Sequence, residues 1–368
     1  MSKPVIAIVG AGNGGQATAA ELGLKGFRVR LCDIDPDMIA GIAARGGVEI
    51  SGVLEGFAPV ELATTDLARA VEGADLIVVA TARFAHAAVA SALAKSIPAG
   101  RPILLNPGSS GGALEFAKIL RESGKSNLVS TMATLPYASR VQEPGRVMVT
   151  LSVKTLFFAS FPGDRTREEA GRWRELFPAL EPLANELEVS LNNGNPITHP
   201  APMLLNAARI ENSKGDFFFY RDGTSPAVVR ISERLDEERL ALCRAFGFAE
   251  IPATERLFRL GYAEKLYPTL LEAYHHSQAF YPIKAPETMD YRYVYEDIPY
   301  GSVFFASLGE QVGVSMPASR TIIDLAGLMT GHDFWKEGFT LKKQGLGDLT
   351  LEELLEFFQT GRSAKVPW

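Results

Sequence analysis

The chain has 368 residues, 46% of them hydrophobic, with two cysteines and a formal net charge of −6 at pH 7. That length accommodates about two domains with large cores, and the lack of a basic run argues against a nucleic-acid-binding surface. Cys32 and Cys243 are too few for a disulfide framework or a cysteine-built metal site, and no stretch is long and apolar enough to span a membrane.

The first predicted strand is "PVIAIV", a β-branched run from Pro4 to Val9. It starts so early that no signal peptide fits before it, so a cytoplasmic location is expected. "GQATAAELGLKG" follows with strong helix formers and a Lys25-Gly26 stop. Between them, Gly10, Gly12 and Gly15 stand in G-x-G-x-x-G spacing, with Asn13 and Gly14 inside the turn. At a strand-to-helix turn the first glycine permits the bend, the second admits a pyrophosphate and the third lets helix and strand pack closely. The helix N-terminus offers free N–H groups and a positive dipole end to that anion. A second strand, "RVRLCDID", carries Asp33 close to the roughly 20-residue spacing of a ribose-binding acid. With strand, helix and acid in register, a dinucleotide site is preferred over an ordinary tight turn. A carboxylate there accepts from ribose hydroxyls and repels a 2′-phosphate, favouring NAD over NADP. Arg28 and Arg30 share one face of that strand and are read as a solvated edge.

"GGVEISGVLEGFAPVEL" predicts a hairpin between repeating units. Strand and helix patterns then alternate: "DLIVVATA", "RFAHAAVASALAKSI", "PILLNPG", "GALEFAKILRES" and "LVSTMATLP". Such alternation makes a parallel sheet covered by helices. "RVMVTLSVKTLFFASFPG" adds β-rich chain, read as antiparallel edge strands, before the amphipathic "TREEAGRWRELFPAL". From "APMLLNAARIENS" to "LTLEELLEFFQTG" nearly every segment has helical period, and "RSAKVPW" reads as a loose tail. The fold expected is an α/β Rossmann-type dinucleotide-binding domain, residues 1–187, followed by a mostly α-helical domain, residues 188–361. Substrate is expected beyond the strand carboxyl ends.

Five histidines are candidates for acid-base work. His86 is read either as a neighbour of the nicotinamide or as a helix-surface residue. His275 and His276 lie in the aromatic "EAYHHSQAFY" and His332 in a turn, where structural roles are simpler. His199 stands in "NNGNPITHPAPMLLNAARIE", among Pro196, Pro200 and Pro202. Prolines are tolerated only in the first turn of a helix, so His199 belongs at or just before a helix start. The dipole there disfavours imidazolium, while a nearby carboxylate favours it, and such opposed terms can poise a histidine for proton transfer.

A second segment, "YRYVYEDIPYGSVFFASLGEQVGV", holds Arg292, Glu296 and Asp297. Here the chain resembles the opine dehydrogenase family, through "GAGNGG", "NPGSSGGALEF", "TLPYASR", "THPAPMLLNAARIE" and "RYVYEDIPYG" in the family's order over most of its length. The glycine motif is generic; the His-Pro and Arg-Tyr…Glu-Asp segments are specific to the group. The resemblance implies reductive condensation of an α-keto acid with an α-amino acid, an NAD(P)H-reduced imine and a secondary-amine product. It implies that His199 and Asp297 do the proton work and that Arg292 clamps the keto-acid carboxylate. It also marks a departure: octopine enzymes, which take arginine, carry a glutamate immediately before "TLP", where this chain has Ala133. The partners implied are small-molecule substrates, with no nucleic acid, no membrane and no metal, and a homodimer is compatible with the sequence. Two other readings stay open from the residues: a ketopantoate-type or hydroxy-acid reductase using a lysine, with Lys214 and Lys265 as candidates, and a non-catalytic NAD-binding regulator.

Overall fold

The structure is a computed structural model that describes residues 3–368. The chain divides into two units: residues up to Gly108, Gly112–Glu186 and Trp368 form one, and Ser109–Gly111 with Leu187–Pro367 form the other.

The first unit contains twelve strands: β1 (Val5–Val9), β2 (Arg28–Cys32), β3 (Gly47–Gly52), β4 (Gly56–Pro59), β5 (Leu62–Thr64), β6 (Leu76–Val79), β7 (Ile103–Leu105), β8 (Val129–Met132), β9 (Tyr137–Glu143), β10 (Arg146–Ser152), β11 (Leu156–Phe161) and β12 (Leu180–Pro182). Eight of them make one sheet in the order β12-β11-β8-β7-β6-β1-β2-β5, parallel except where β11 meets β8. β1, β6, β7 and β8 are buried along their whole length, as apolar runs in a sheet covered on both faces must be. The chain winds from β1 outward to β2 and β5, then returns to place β6 on the other side of β1. The glycine turn after β1 therefore lies at the point where the strand order reverses, the position at which open α/β sheets bind ligands.

The predicted hairpin forms as β3 and β4, antiparallel, but it does not stand alone. β10 pairs parallel with β3 and antiparallel with β9, giving a second sheet in the order β4-β3-β10-β9. The reading of "RVMVTLSVKTLFFASFPG" as edge strands holds for neither half: β10 is internal to the small sheet, and β11 is internal to the large one, with β12 outside it. All six residues of β11 are buried, in keeping with a strand that has a neighbour on each side. The tail also differs from expectation, since Trp368 packs near Phe161 and under the Arg121 guanidinium, 5.7 Å from its ring.

The second unit is helical, with one isolated β-bridge, Phe218 to Lys284, among the described residues. The long helix Pro226–Ala245 runs through it and carries two buried charged hubs. Arg239 binds Asp236 and the carbonyls of Leu191 and Ile251, while Asp236 accepts from Ala253 N. Glu238 accepts from Ala318 N, Ser319 N and Ser319 Oγ, capping the helix Pro317–Thr330 at its positive end.

His86 is not on the helix surface: it is fully buried at the start of the helix His86–Ser96, edge-on to Phe116. Burial, reinforced by the nearby Arg83 guanidinium, holds the imidazole well below the ordinary histidine range. The unfolded chain binds a proton near pH 6.5 and the folded chain does not, so this residue's contribution is intact above that pH and falls below it. Urea denaturation from pH 7.5 to 5.5 should show His86→Leu losing less stability on acidification than wild type, by about 1.4 kcal/mol per pH unit below 6.5. Parallel pH dependences would contradict this placement.

Candidate active site

The glycine turn has the shape of a cradle. Gly10 has φ +106°, and a Cβ on it would lie 2.6 Å from the Ala80 carbonyl oxygen. A Cβ on Gly15 would lie 1.8 Å from Gly10 O, so only glycine lets the helix α1 (Asn13–Leu24) start this close to β1. A Cβ on Gly12 would meet nothing in the protein, which leaves that backbone open to an approaching anion. Gly12 is also the N-cap of α1 and provides no side-chain cap, so the first N–H groups of α1 stay available. The other two glycine-loop residues serve differently: Leu135 packs over Gly14, and Asn13 Oδ1 accepts from Val141 N at 2.7 Å, tying the turn to β9.

Asp33 directly follows β2 with one carboxylate oxygen accepting from Ala11 N at 2.5 Å and the other from Asp35 N at 3.0 Å. The acid is thereby fixed against the glycine turn, with lone pairs left for ribose hydroxyls. Arg28 and Arg30, the cations nearest along this strand, both pair with Glu61, at 2.6 and 3.0 Å. Glycine cradle, free helix N-terminus and strand-end acid together fit a dinucleotide.

In the second unit, His199 is the N-cap of the helix Pro200–Leu205, preceded by the short helix Asn195–Thr198. Pro200 occupies the first helical turn, where its missing N–H costs nothing. His199 is 9% exposed and its Nδ1 lies 2.6 Å from Asp297 Oδ2; Asp297 itself is 3% exposed. No protein group among the described residues hydrogen-bonds Nε2.

Asp297 is held by a local irregularity. It follows the turn Arg292–Tyr295, whose C-cap is Glu296, and is itself the N-cap of a π-helical segment, Ile298–Ser302, of the kind found at functional sites. A Cβ on Gly301 would fall 2.2 Å from Pro196 Cγ, so this residue lets the π-helical turn press against the helix that precedes His199. Arg292 and Glu296, spaced i,i+4, form an ion pair at 3.2 Å, with the Arg292 side chain 40% exposed. The structure thus pairs His199 with Asp297 and Arg292 with Glu296, the two acids being neighbours in the chain. The other histidines lie elsewhere: His275 bonds Thr224, His276 bonds the Glu272 carbonyl, and His332 pairs with Glu337. Lys214 is an exposed left-handed helix cap, and Lys265 lies over the Tyr267 ring, so neither belongs to the buried pair. Among the described residues, no three metal-ligating side chains gather as a metal site.

Sequence reasoning passed over Tyr293, whose ring stacks on the His199 imidazole with centroids 3.8 Å apart and planes 19° from parallel. The available signal was the spacing in "YRYVYED", where Tyr293 and Asp297 are one helical turn apart. Gly301 has no local signature, because nothing in the sequence marks a π-turn.

The chain is similar to known proteins along both units. The family model described as NAD/NADP octopine/nopaline dehydrogenase, alpha-helical domain, matches residues 182–330, and that of the NAD-dependent glycerol-3-phosphate dehydrogenase N-terminus matches residues 5–132. An opine dehydrogenase of Arthrobacter sp. (strain 1C) is 36% identical over 94% of this chain and 96% of its own length. Octopine dehydrogenase solved with NADH and agmatine superposes with a TM-score of 0.79, and solved with NADH and pyruvate with 0.77; each is 19% identical, covering 98% of this chain and 99% of the other.

A Rossmann-like nucleotide unit joined to a helical unit of this kind defines an NAD(P)-dependent oxidoreductase acting on CH–NH bonds. The chain belongs to the opine dehydrogenase family, whose members form opines with NAD(P)H.

The contact between Gly301 and Pro196 gives a direct check on how the pair is held. Gly301→Ala should cost about 1–3 kcal/mol of stability, because the added methyl overlaps a proline ring that cannot rotate away. Denaturant midpoints would measure this, and an unchanged midpoint would mean that the segment yields freely.

Proposed function

We propose that this enzyme condenses a short α-keto acid, pyruvate first among them, with the amino group of a neutral L-amino acid, using NADH, and also runs the reverse oxidation. The observation that carries the reading is the buried His199–Asp297 hydrogen bond with Arg292 one turn away. Pyruvate is supported by the octopine dehydrogenase solved with that ligand.

Each residue then has one task. The Arg292 guanidinium pairs its N–H groups with the keto-acid carboxylate, while Glu296 keeps it oriented from the side. Asp297 accepts from Nδ1–H, fixing the tautomer so that Nε2 is the working nitrogen. Nε2 takes a proton from the substrate ammonium; the freed amine adds to the keto carbon and passes one N–H proton to its oxygen, and Nε2 then returns its proton to that hydroxyl, which leaves as water and gives the protonated imine. A dinucleotide held by the glycine turn and Asp33 would supply the hydride that the protonated imine carbon accepts, which leaves a neutral secondary amine. The proton inventory closes on His199, and Asp297 stabilises its charged form without itself being protonated.

For the cofactor, Asp33 supports NADH over NADPH. Its carboxylate is anchored by two backbone N–H groups and cannot swing away from a 2′-phosphate, and Arg28 and Arg30 are already committed to Glu61. kcat/KM for NADH should exceed that for NADPH by at least about tenfold; equal values would end this assignment.

For the amino partner, Ala133 is 4% exposed and follows β8, with its N–H on the Phe157 carbonyl. That position offers no carboxylate to a guanidinium, and an unpaired buried guanidinium is costly. Norvaline, methionine or phenylalanine should therefore outcompete arginine when each pair shares limiting pyruvate and NADH and the products are separated by mass. Predominant arginine adduct would refute the inference from Ala133.

The acid-base assignment is tested by His199→Ala, which should lower kcat by about 10²- to 10⁴-fold with NADH affinity nearly unchanged. Wild-type turnover in that variant would revive a lysine-based mechanism.

A further inference from the structure

Asp297 alone leaves the His199 ring under-determined. One hydrogen bond at Nδ1 fixes where that nitrogen sits but allows the imidazole to tilt about the bond, which would sweep Nε2 through an arc. A proton-transfer nitrogen must be held close to its working position, because a displacement of about 1 Å can cost 10²-fold in rate.

Tyr293 supplies the missing constraint. Its ring lies face to face with the imidazole, 3.8 Å between centroids and 19° between planes. Tyr293 and Asp297 are four residues apart across one turn, so a single backbone segment presents both the carboxylate and the aromatic face to the same imidazole. The tyrosine ring is itself immobilised. Tyr291 meets it edge-on at 4.9 Å and Phe219 lies 5.1 Å away. Phe219 in turn meets Tyr220 edge-on at 5.1 Å. Tyr220 is 2% exposed and stacks in turn on Phe280 at 4.2 Å, so the support runs back into the core of the unit.

We propose that Tyr293 is a positioning residue for the reaction, setting the plane of the His199 imidazole through its ring face while Asp297 sets its rotation. This rests on His199 being the acid-base of the proposed reaction. The part played is that of the ring and not of the phenol. Burial pushes the Tyr293 hydroxyl well above its ordinary range, with the Tyr291 hydroxyl adding to the effect, so it stays protonated throughout the working pH.

The test uses the full-length enzyme, pyruvate, norvaline and NADH, with kcat and KM measured for each variant and NADH binding measured separately. Tyr293→Phe keeps the stacked face and should retain at least about a third of wild-type kcat. Tyr293→Leu removes it and should lower kcat by about 10- to 100-fold while leaving the KM and Kd for NADH unchanged. Tyr293→Met, which keeps the length without the ring, replaces the leucine variant should that one fail to fold. In a His199→Ala background the same substitution should bring no further loss. A phenylalanine variant as impaired as the leucine one would show that the hydroxyl matters, and a leucine variant as active as wild type would show that the stack does not; either overturns the proposal. An equal further loss in the His199→Ala background would show Tyr293 acting on substrate directly, and overturns it as well. Full activity of His199→Ala by itself would instead remove the acid-base reading on which the proposal stands, and the two failures are thereby told apart.

Discussion

One hydrogen bond organises the second unit: His199 Nδ1 to Asp297 Oδ2, 2.6 Å, between residues 98 positions apart in the chain. A carboxylate that is 3% exposed is expensive to bury without a partner, so the pair must be brought together by the fold rather than by mutual attraction across water. The surrounding residues answer to that need. Prolines start a helix immediately after His199, Arg239 anchors the Leu191 carbonyl at the head of the same segment, and a π-turn beginning after Asp297 is pressed against Pro196 by the lack of a side chain at Gly301. The π-turn gives up regular helical hydrogen bonding, a local cost that packed functional sites tolerate.

The first unit is built around a different constraint, the approach of backbone to phosphate. Gly15 lets the start of α1 touch Gly10, Gly12 leaves the turn open, and Asp33 accepts from Ala11 N so that the acid and the turn are one rigid piece. The reversal of strand order between β2 and β6 around β1 puts this piece at the natural ligand position of the sheet. Arg28 and Arg30, read from the sequence as a solvated edge, both pair with Glu61.

Much of this was legible before any coordinates. The glycine spacing, the strand and helix on either side of it and the acid at the next strand end are local signals, each with its own period or spacing. The alternation of elements gave the parallel sheet, and the proline pattern placed His199 at a helix start. Asp297 and Arg292 were not legible in this way: a carboxylate and a cation in a tyrosine-rich loop are most simply an ion pair, and only the resemblance to opine dehydrogenases singled them out. What stayed hidden was whatever depends on long-range packing. Nothing local distinguishes the buried His86 from a surface histidine in an alanine-rich helix, nor shows that β11 has a neighbour on each side. The stack of Tyr293 on His199 joins two distant segments and has no signature beyond a four-residue spacing.

The central claim is that Asp297 contributes to the reaction by acting through His199. A double-mutant cycle of His199→Ala and Asp297→Asn, read in kcat/KM for the keto acid with NADH saturating, tests it most directly. The account predicts strong non-additivity: each single substitution slows the reaction, and the double variant is no slower than His199→Ala alone. Losses that multiply, so that the double variant falls below His199→Ala by the full Asp297→Asn factor, would show two independent roles and contradict it.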